Sequence, residues 1–344
     1  MEPLPELDFH SFLADVMRDY LDYLDHLGFS IVTQAYNLRR IDRFLLEQKV
    51  DRLEQLDVPL LMRLVDEYKG RVRANTLRLW RDTFHGLCRY LVRLGWKADN
   101  PVSAFPIPHR QPYRPYVFSP HELRLLFDCL KGRARQAPNP VIFYRALSYY
   151  SLYHLLYACG LRVSEALRLT PSDFSCQEAT LYIRPSKFGK DRLLPIGPKV
   201  CSNLSNLLSV RQRLFGVPPE GVVFLFLPER RPYNRRAVSA YFRKLLQRLG
   251  IYRSEVYEQG YCYGTPHLHE LRRAFAVHRL LRWYRQHVDV DAKLPLLATY
   301  MGHGFFGHTK TYLTLTQQLL AEAHERFASR FDRLDWVKHD PQLE

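Results

Sequence analysis

Apolar residues recur at helical spacing through most of the first hundred positions. In the stretch ANTLRLWRDTFHGLCRYLVRLGW, residues 74–96, five large apolar side chains fall on one helical face. These are Trp80, Phe84, Leu87, Leu91 and Leu94. The same period runs from Phe9 to about Gly95, which predicts a small module of about four helices.

The helical pattern stops at ADNPVSAFPIPHRQPYRPYVFSP, residues 98–120, which contains six prolines and no period. Because proline lacks an N–H donor and blocks helix formation, residues 98–118 are predicted to form an extended linker. Helix restarts at SPHELRLLFDCL, where Ser119 is an N-cap and Pro120 suits the first turn. Glu122 then completes a capping box with Ser119.

The period changes again at ATLYIRPSKFGKDRLLPI, residues 179–196, where two short β-branched and aromatic runs flank a Lys/Gly turn. This pattern predicts a β-hairpin, and GVVFLFLP, residues 221–228, predicts another short strand. From Ala237 onward helix dominates, apart from a predicted loop around EQGYCYGTPH, residues 258–267. The fold class is therefore mainly α with a small β-sheet (α+β), in two domains covering residues 1–97 and 119–344.

Net charge narrows the choice of partner. The chain carries 50 Lys and Arg against 35 Asp and Glu, a net charge of +15, and most of its cations are arginines. Such a field attracts polyanions, so nucleic acid or an anionic membrane surface is the expected partner. A basic protein with no nucleic-acid role is the alternative.

Compartment and redox state follow from three further features. The apolar stretch PVIFYRALSYYSLYHLLYACGL is interrupted by Arg145 and His154, so no membrane span is expected. The N-terminus is acidic and lacks a signal-peptide pattern. The six cysteines are scattered without a C-x-x-C pair, which predicts reduced thiols. Together these features predict a cytoplasmic or nucleoid-associated protein.

Several arginines are candidates for DNA contact. Arg73, Arg78, Arg81 and Arg89 lie mostly off the apolar stripe of residues 74–96. A solvated helix face and a phosphate-binding face are about equally good interpretations of this row. DNA contact is predicted for Arg73, Arg78 and Arg81, and also for Arg235 and Arg236, which precede the next helical segment.

Two segments around the hairpin carry candidate catalytic cations. In YACGLRVSEALRLTPSDF, residues 157–174, Gly160 ends one helix and Arg162 lies at the start of the next. There an arginine is disfavoured by the helix dipole unless an anion is near. An ordinary surface arginine is the alternative. In SKFGKDRLLPI both Lys187 and Lys190 could act as a general acid, since a lysine of lowered pKa protonates a leaving oxygen well.

Two later segments add imidazoles and a nucleophile. In HELRRAFAVHRLL, residues 269–281, His269 and Arg272 share one helix face and suit a phosphate. In YMGHGFFGHTKTYLTL, residues 300–315, a helix end or tight turn carries His303, and Tyr312 follows nine residues later. A metal site is not expected, because His267 and His269 have no further ligands at suitable spacing and no H-E-x-x-H motif is present.

These groups together suit phosphodiester transesterification without a metal. A tyrosine oxygen can attack phosphorus while two guanidiniums neutralise the charge that grows on the equatorial oxygens. A lysine can protonate the departing 5′ oxygen, and the histidines can handle the tyrosine proton and add hydrogen bonds.

The four segments resemble, in order and spacing, the signature boxes of the tyrosine recombinase (phage integrase) family. ACGLRVSEALRL resembles the T-G-L-R-x-S-E-L box, and SKFGKDRLLPI resembles the K-G-x-K-x-R-x-x-P hairpin box. HELRRAFAVH is similar to the H-x-L-R-H-x-F-A-x-H box, with Arg273 in place of the second histidine. MGHGFFGHTKTY is similar to the L-G-H box, which is followed nine residues later by the nucleophilic tyrosine. The resemblance covers about residues 119–325 and implies six catalytic residues: Arg162, Lys187 (rather than Lys190), His269, Arg272, His303 and Tyr312.

The resemblance also implies fold, partners and mechanism. It implies a helical core-binding domain and an integrase-type catalytic domain that clamp duplex DNA. Tyr312 would form a 3′-phosphotyrosyl link, and strand exchange would pass through a Holliday junction in a tetramer, with no metal or nucleotide cofactor. LTQQLLAEAHERFASRF, residues 315–331, reads as an amphipathic helix, for which docking in trans and packing in cis both stay open.

The biological role has several interpretations. Integration, excision or resolution, and transposition within a mobile element all use this chemistry. DNA relaxation like that of a type IB topoisomerase is an alternative, and a DNA-binding protein that has lost catalysis is another. The complete set of six catalytic residue types favours an active recombinase.

Overall fold

The computed structural model describes residues 8–104, 113–184, 191–217, 220–227, 229–258 and 261–302. The chain divides into two compact units, Met1–Gln111 and Pro112–Glu344. This division falls inside the proline-rich segment 98–118. The predicted limits of the two domains, at residues 97 and 119, stay predictions.

In its described part, the first unit is built from four α-helices, as the apolar period predicts. They are α1 (Ala14–His26), α2 (Val32–Glu47), α3 (Val58–Tyr68) and α4 (Ala74–Arg93). Four of the five predicted stripe residues are buried in the core of this unit: Trp80, Phe84, Leu87 and Leu91. The fifth, Leu94, is 42% exposed. The buried stripe stops there because α4 ends at Arg93, one residue before Leu94.

A buried polar contact joins α2 to α4. The Asn37 amide donates to the Thr83 hydroxyl at 2.9 Å, and that hydroxyl donates to the side chain of Gln34 at 2.8 Å. The Asn37 amide N–H and the Thr83 hydroxyl, both removed from water, therefore have hydrogen-bond partners.

The second unit is built around one central helix. Its described helices are α5 (Pro120–Arg135), α6 (Pro140–Ala158), α7 (Val163–Leu167), α8 (Pro198–Phe215), α9 (Arg235–Arg248), α10 (His269–Arg285) and α11 (Val290–Met301). Helices α5, α7, α8 and α10 pack against α6, which explains why α6 is apolar on almost every face. Across the described residues, no helix is both long and apolar enough to span a bilayer.

The start of α5 confirms the predicted capping box. The Ser119 hydroxyl accepts from the Glu122 backbone N–H at 3.2 Å, and the Glu122 carboxylate accepts from the Ser119 backbone N–H at 2.8 Å. This reciprocal pair fixes the start of α5.

Three small sheets accompany the helices in the described part of this unit. The first joins β2 (Phe174–Ser175), β3 (Thr180–Ile183) and β4 (Arg192–Pro195), all antiparallel. The second pairs β5 (Leu225–Phe226) with β6 (Arg231–Pro232). The third places β8 (Tyr261–Tyr263) between β1 (Tyr113–Arg114), which is parallel to it, and β7 (Val256–Glu258), which is antiparallel.

The structure confirms two of the β-structure predictions and contradicts part of a predicted loop. The hairpin of residues 179–196 is confirmed by β3 and β4, in which Ile183 pairs with Arg192. The short strand in residues 221–228 is confirmed by β5. The predicted loop in residues 258–267 is wrong in part, because Tyr261–Tyr263 forms β8 and pairs with a strand almost 150 positions earlier in the chain.

Candidate active site

Gly160 sets the backbone path that presents Arg162. Helix α6 ends at Ala158, and Gly160 then adopts a φ of +59°, which reverses the chain. A Cβ at this position would lie 2.4 Å from Cδ1 of Phe275, so α10 packs directly against the glycine. Arg162 follows at the N-cap of α7, as the sequence predicts.

Glu165 supplies the anion that an arginine at a helix start requires. Its buried carboxylate accepts from the Arg162 backbone N–H at 2.9 Å and from Arg162 Nη1 at 2.7 Å. Arg192 of β4 adds two further bonds, from Nη2 at 2.8 Å and from Nη1 at 3.2 Å. Burial by itself would raise the pKa of Glu165, but the bonds and charges of Arg192 and Arg162 lower it to about 2. Glu165 is therefore ionised at neutral pH.

Arg272 lies on α10 and points into the protein. Its side chain is almost fully buried, with 1% of the residue exposed. Nη1 donates to the Gly160 carbonyl and Nη2 donates to the Met301 carbonyl, each at 2.6 Å. The guanidinium thus ties the turn before Arg162 to the end of α11.

Three guanidiniums converge on the C-terminal end of α11. Arg192 Nε donates to the Tyr300 carbonyl at 3.0 Å, Arg272 to that of Met301, and Arg162 Nη2 to that of Gly302 at 2.8 Å. The last carbonyls of a helix lack partners within the helix and carry the negative end of its dipole. Arginine side chains satisfy three of them in succession here.

His269, the first residue of α10, completes the group. The residue as a whole is exposed at the surface. Partial desolvation of its ring, reinforced by the positive charges of Arg273, Arg272 and Arg162, lowers the pKa of His269 to about 3. The imidazole is therefore neutral at physiological pH, so it could contribute a hydrogen bond but no charge. The structure brings three of the six predicted catalytic residues together: Arg162, His269 and Arg272.

The other three predicted catalytic residues lie outside the described residues. They are Lys187, His303 and Tyr312. Two described residues of the site lie near them in the sequence: Arg192 follows the segment 185–190 that contains Lys187, and Gly302 immediately precedes His303. Gly302 has a φ of +66° and ends α11, which confirms the predicted helix end.

The five predicted DNA-binding arginines differ in accessibility. Arg73, Arg235 and Arg236 are exposed, the last two in the first turn of α9. Arg78 is partly exposed, and its Nε lies 3.7 Å from Oδ2 of Asp82. The Arg81 side chain is only 12% exposed and donates to Asp82 at 3.1 Å and to the Val102 carbonyl at 3.4 Å. Arg81 therefore has the least surface to offer a phosphate.

His267 has a local partner, in keeping with its exclusion from the predicted site. Its Nδ1 lies 2.8 Å from the buried carboxylate of Glu270, which also accepts from Arg273 Nη1 at 2.6 Å. Over the described ranges, no cluster of three His, Cys, Asp or Glu side chains is arranged to hold a metal ion. All six cysteines are free thiols.

Glu165 and Arg192 are site residues to which the sequence assigned no part in catalysis, although both fall within segments that resemble the family boxes. Glu165 could have been found, because an acidic residue three positions after a helix N-cap is a capping-box signal. Arg192 occupies the arginine of the K-G-x-K-x-R-x-x-P box, but its role did not follow from that match, since its partners lie 27 and 108 positions away in the sequence.

The chain is similar to proteins that recombine DNA. The phage integrase family model matches residues 133–318, over half of the chain. A Sinorhizobium fredii protein named "Putative integrase/recombinase y4rE" is 31% identical over 92% of this chain and 96% of its own length. The tyrosine recombinase XerD of Brucella suis is 28% identical over 67% of this chain and 69% of its own length.

The fold is similar to that of solved integrase structures. The structure of a lambda integrase dimer bound to a COC′ core site matches with a TM-score of 0.63 at 18% identity. The match covers 88% of this chain and 95% of that one. At this identity the likeness shows the shared architecture, a helical unit followed by a mostly helical unit with small sheets.

Proposed function

The chain belongs to the phage integrase family of tyrosine recombinases, and we propose that it cuts and rejoins duplex DNA at a specific site through a 3′-phosphotyrosyl intermediate. The observation that carries this proposal is the meeting of Arg162 and Arg272 at the end of α11, with His269 close enough for both charges to lower its pKa. Two cations and a neutral imidazole in one place suit a phosphodiester whose negative charge grows in the transition state.

We assign the covalent step to Tyr312. Its oxygen attacks phosphorus, a 3′-phosphotyrosyl bond forms, and the bond to the 5′ oxygen breaks. Lys187 protonates that 5′ oxygen, His303 accepts the tyrosine proton, and the neutral ring of His269 hydrogen-bonds to the phosphate. Attack by a 5′ hydroxyl of the partner strand reverses these steps. Because one phosphoester replaces another, no nucleotide needs to be hydrolysed.

Arg162 and Arg272 stabilise the charge on the non-bridging oxygens in this scheme. Both guanidiniums also donate to carbonyls at the end of α11. A phosphate that binds them competes with those carbonyls, so phosphate binding is coupled to the position of the segment that leads to His303 and Tyr312.

The partner is duplex DNA, and the working form is a tetramer. Exchange between two duplexes breaks four strands, one for each tyrosine, and passes through a Holliday junction. We assign residues 1–97 to a core-binding domain, 98–118 to a linker and 119–344 to the catalytic domain. The C-terminal segment then contacts a neighbouring protomer or packs on its own. We place this activity on the nucleoid in the cytoplasm, as part of integration, excision or transposition by a mobile element.

The test is covalent capture on a nicked suicide duplex, built from a site selected by binding from a random pool. Wild-type protein is expected to form a stable protein–DNA adduct, and Tyr312→Phe is expected to bind the same duplex without forming it. Tyr36→Phe is the control, because Tyr36 is an exposed tyrosine of the first unit and should not affect the adduct. An adduct with Tyr312→Phe would contradict the nucleophile assignment, and relaxation of supercoils without a paired site would favour a topoisomerase.

A further inference from the structure

Arg192, the first residue of β4, links three segments that lead into predicted catalytic residues. We propose that Arg192 is a positioning residue for strand cleavage. Without touching DNA, it fixes Arg162 through Glu165 and fixes the end of α11 that leads into His303. This inference rests on the proposed recombinase function and adds a residue to its machinery.

The first link is to Arg162. Arg192 and Arg162 share one carboxylate, that of Glu165, whose side chain is 0% exposed. Arg192 binds both carboxylate oxygens, through Nη2 at 2.8 Å and Nη1 at 3.2 Å. This forked contact fixes the plane of the carboxylate. The orientation of the carboxylate in turn determines where Nη1 of Arg162 lies, because that atom bonds to it at 2.7 Å.

The second link is to the end of α11. Arg192 Nε donates to the Tyr300 carbonyl at 3.0 Å. The guanidinium also lies against Gly302, where an added Cβ would be 2.7 Å from Nη1 and 3.0 Å from Cζ of Arg192. Gly302 directly precedes His303, so the arginine holds the last turn before that residue from two sides.

The third link is to the hairpin. Arg192 pairs with Ile183 in the last described pair of the β3–β4 ladder. Residues 185–190, which include Lys187, connect these two strands in the sequence. A side chain anchored to α7 and α11 therefore also anchors the strand that returns from the predicted general acid.

Burial separates this role from contact with DNA. The Arg192 side chain is 9% exposed, and each of its three guanidinium nitrogens donates within the protein. The groups it holds lie next to predicted catalytic residues. Loss of the fork should therefore displace reacting groups, and a displacement of about 1 Å can slow a reaction roughly 100-fold.

The experiment compares two variants of Arg192 with a matched control. Arg192→Lys keeps a charge beside Glu165 but cannot form the fork, and Arg192→Met keeps similar bulk without charge. Arg184→Met is the control. Arg184 directly follows β3 as Arg192 begins β4, and its Nε bonds a buried carboxylate, that of Asp173, at 3.0 Å. The Arg184 side chain is 60% exposed. Its partner Asp173 lies in the short 3-10 helix Pro171–Asp173, whereas Glu165, the partner of Arg192, lies in α7.

The measurements are the Kd for the selected duplex and the single-turnover rate of adduct formation, below the unfolding temperature of each variant. We expect cleavage to fall by roughly 10-fold or more in Arg192→Lys and roughly 100-fold in Arg192→Met, with Kd within about twofold of wild type. Arg184→Met should cleave at nearly the wild-type rate. A merely structural role would lower the unfolding temperature while leaving the cleavage rate of the folded protein unchanged.

Each other outcome has a defined meaning. Cleavage by Arg192→Lys at the rate of the control would overturn the inference, and so would a Kd that weakens in step with the cleavage rate. If Arg192→Met does not fold, the lysine variant decides. A wild-type protein that binds but forms no adduct would overturn the proposed function together with this inference. Normal adduct formation in wild type and in both Arg192 variants would overturn this inference alone.

Discussion

His269 is neutral in the folded protein at physiological pH, and its lowered pKa makes the free energy of unfolding depend on pH. Its pKa falls to about 3 in the folded chain through desolvation and neighbouring cations, against an ordinary value of 6.5. Between these values the unfolded chain binds a proton that the folded chain does not, so stability falls as the pH drops below 6.5. We expect the free energy of unfolding of wild type to decline more steeply than that of His269→Gln between about pH 7 and pH 5, as measured by urea denaturation.

Other histidines titrate in the same range, so the comparison between proteins isolates His269. Burial also lowers the pKa of His85, His154 and His278, and their contributions are common to both proteins. His287→Asn is the control, because His287 is exposed after α10 with a φ of +54°, which asparagine tolerates. This control should follow the wild-type curve. Parallel curves for wild type and His269→Gln would contradict a neutral, desolvated His269.

At the level of single residues, the sequence predicts what depends on short spacing. The spacing of three between His269 and Arg272 and the glycine before Arg162 are local features, and they placed three groups of the site. The burial of these side chains could not be predicted from local spacing. Arg272 is buried because it reaches carbonyls 112 and 29 positions away, and such contacts exist only once the helices have packed.

Helix ends decide the geometry around the site, and Gly160 is the most demanding of them. Alanine at a φ of +59° costs about 1–2 kcal/mol, and its Cβ would also overlap Phe275 at 2.4 Å. Overlap in a packed core adds roughly 1–3 kcal/mol. We expect Gly160→Ala to lower the free energy of unfolding by about the sum of these costs, as measured by urea denaturation. Adduct formation should also fall, because the Gly160 carbonyl holds Arg272.

Gly216, at the end of α8, provides the comparison for this prediction. Its φ is +60°, nearly that of Gly160, but a Cβ there would meet no atom within 4 Å. Gly216→Ala should therefore show the backbone cost alone, about 1–2 kcal/mol, with adduct formation unchanged. Equal destabilisation by the two substitutions would show that contact with Phe275 contributes nothing.

Whole helices were predictable from the sequence wherever several local signals, such as a capping box or a long apolar period, agreed. The capping box at Ser119 and the apolar period of α4 each combine several agreeing local signals, and both elements are present. Strand β8 was missed because only three residues, Tyr261–Tyr263, form it, and its neighbours β1 and β7 have two and three residues. Its pairing with Tyr113–Arg114 brings together distant parts of the sequence, and no local period records such a contact.

For the whole molecule, a net charge of +15 predicts attraction to DNA but not which cations meet it. The structure separates them. Arg235 and Arg236 are exposed in the first turn of α9, and that turn contains no acidic residue. Positive charge is unfavourable at a helix N-terminus unless an anion is close, and a DNA phosphate would be such an anion. Arg81, by contrast, donates to Asp82 and to the Val102 carbonyl.

This contrast predicts different salt dependences for two substitutions that remove the same charge. Each phosphate that an arginine neutralises releases counterions, so the slope of log Kobs against log salt changes by about 0.9 when one such arginine is replaced. We expect Arg236→Gln to make the slope shallower by roughly that amount, and Arg81→Gln to leave it close to wild type. Fluorescence anisotropy with a labelled duplex over a series of salt concentrations measures both. Since the two variants have the same net charge, equal slopes would mean that the overall field governs binding. A shallower slope for Arg236→Gln alone would locate a phosphate-binding arginine at the start of α9.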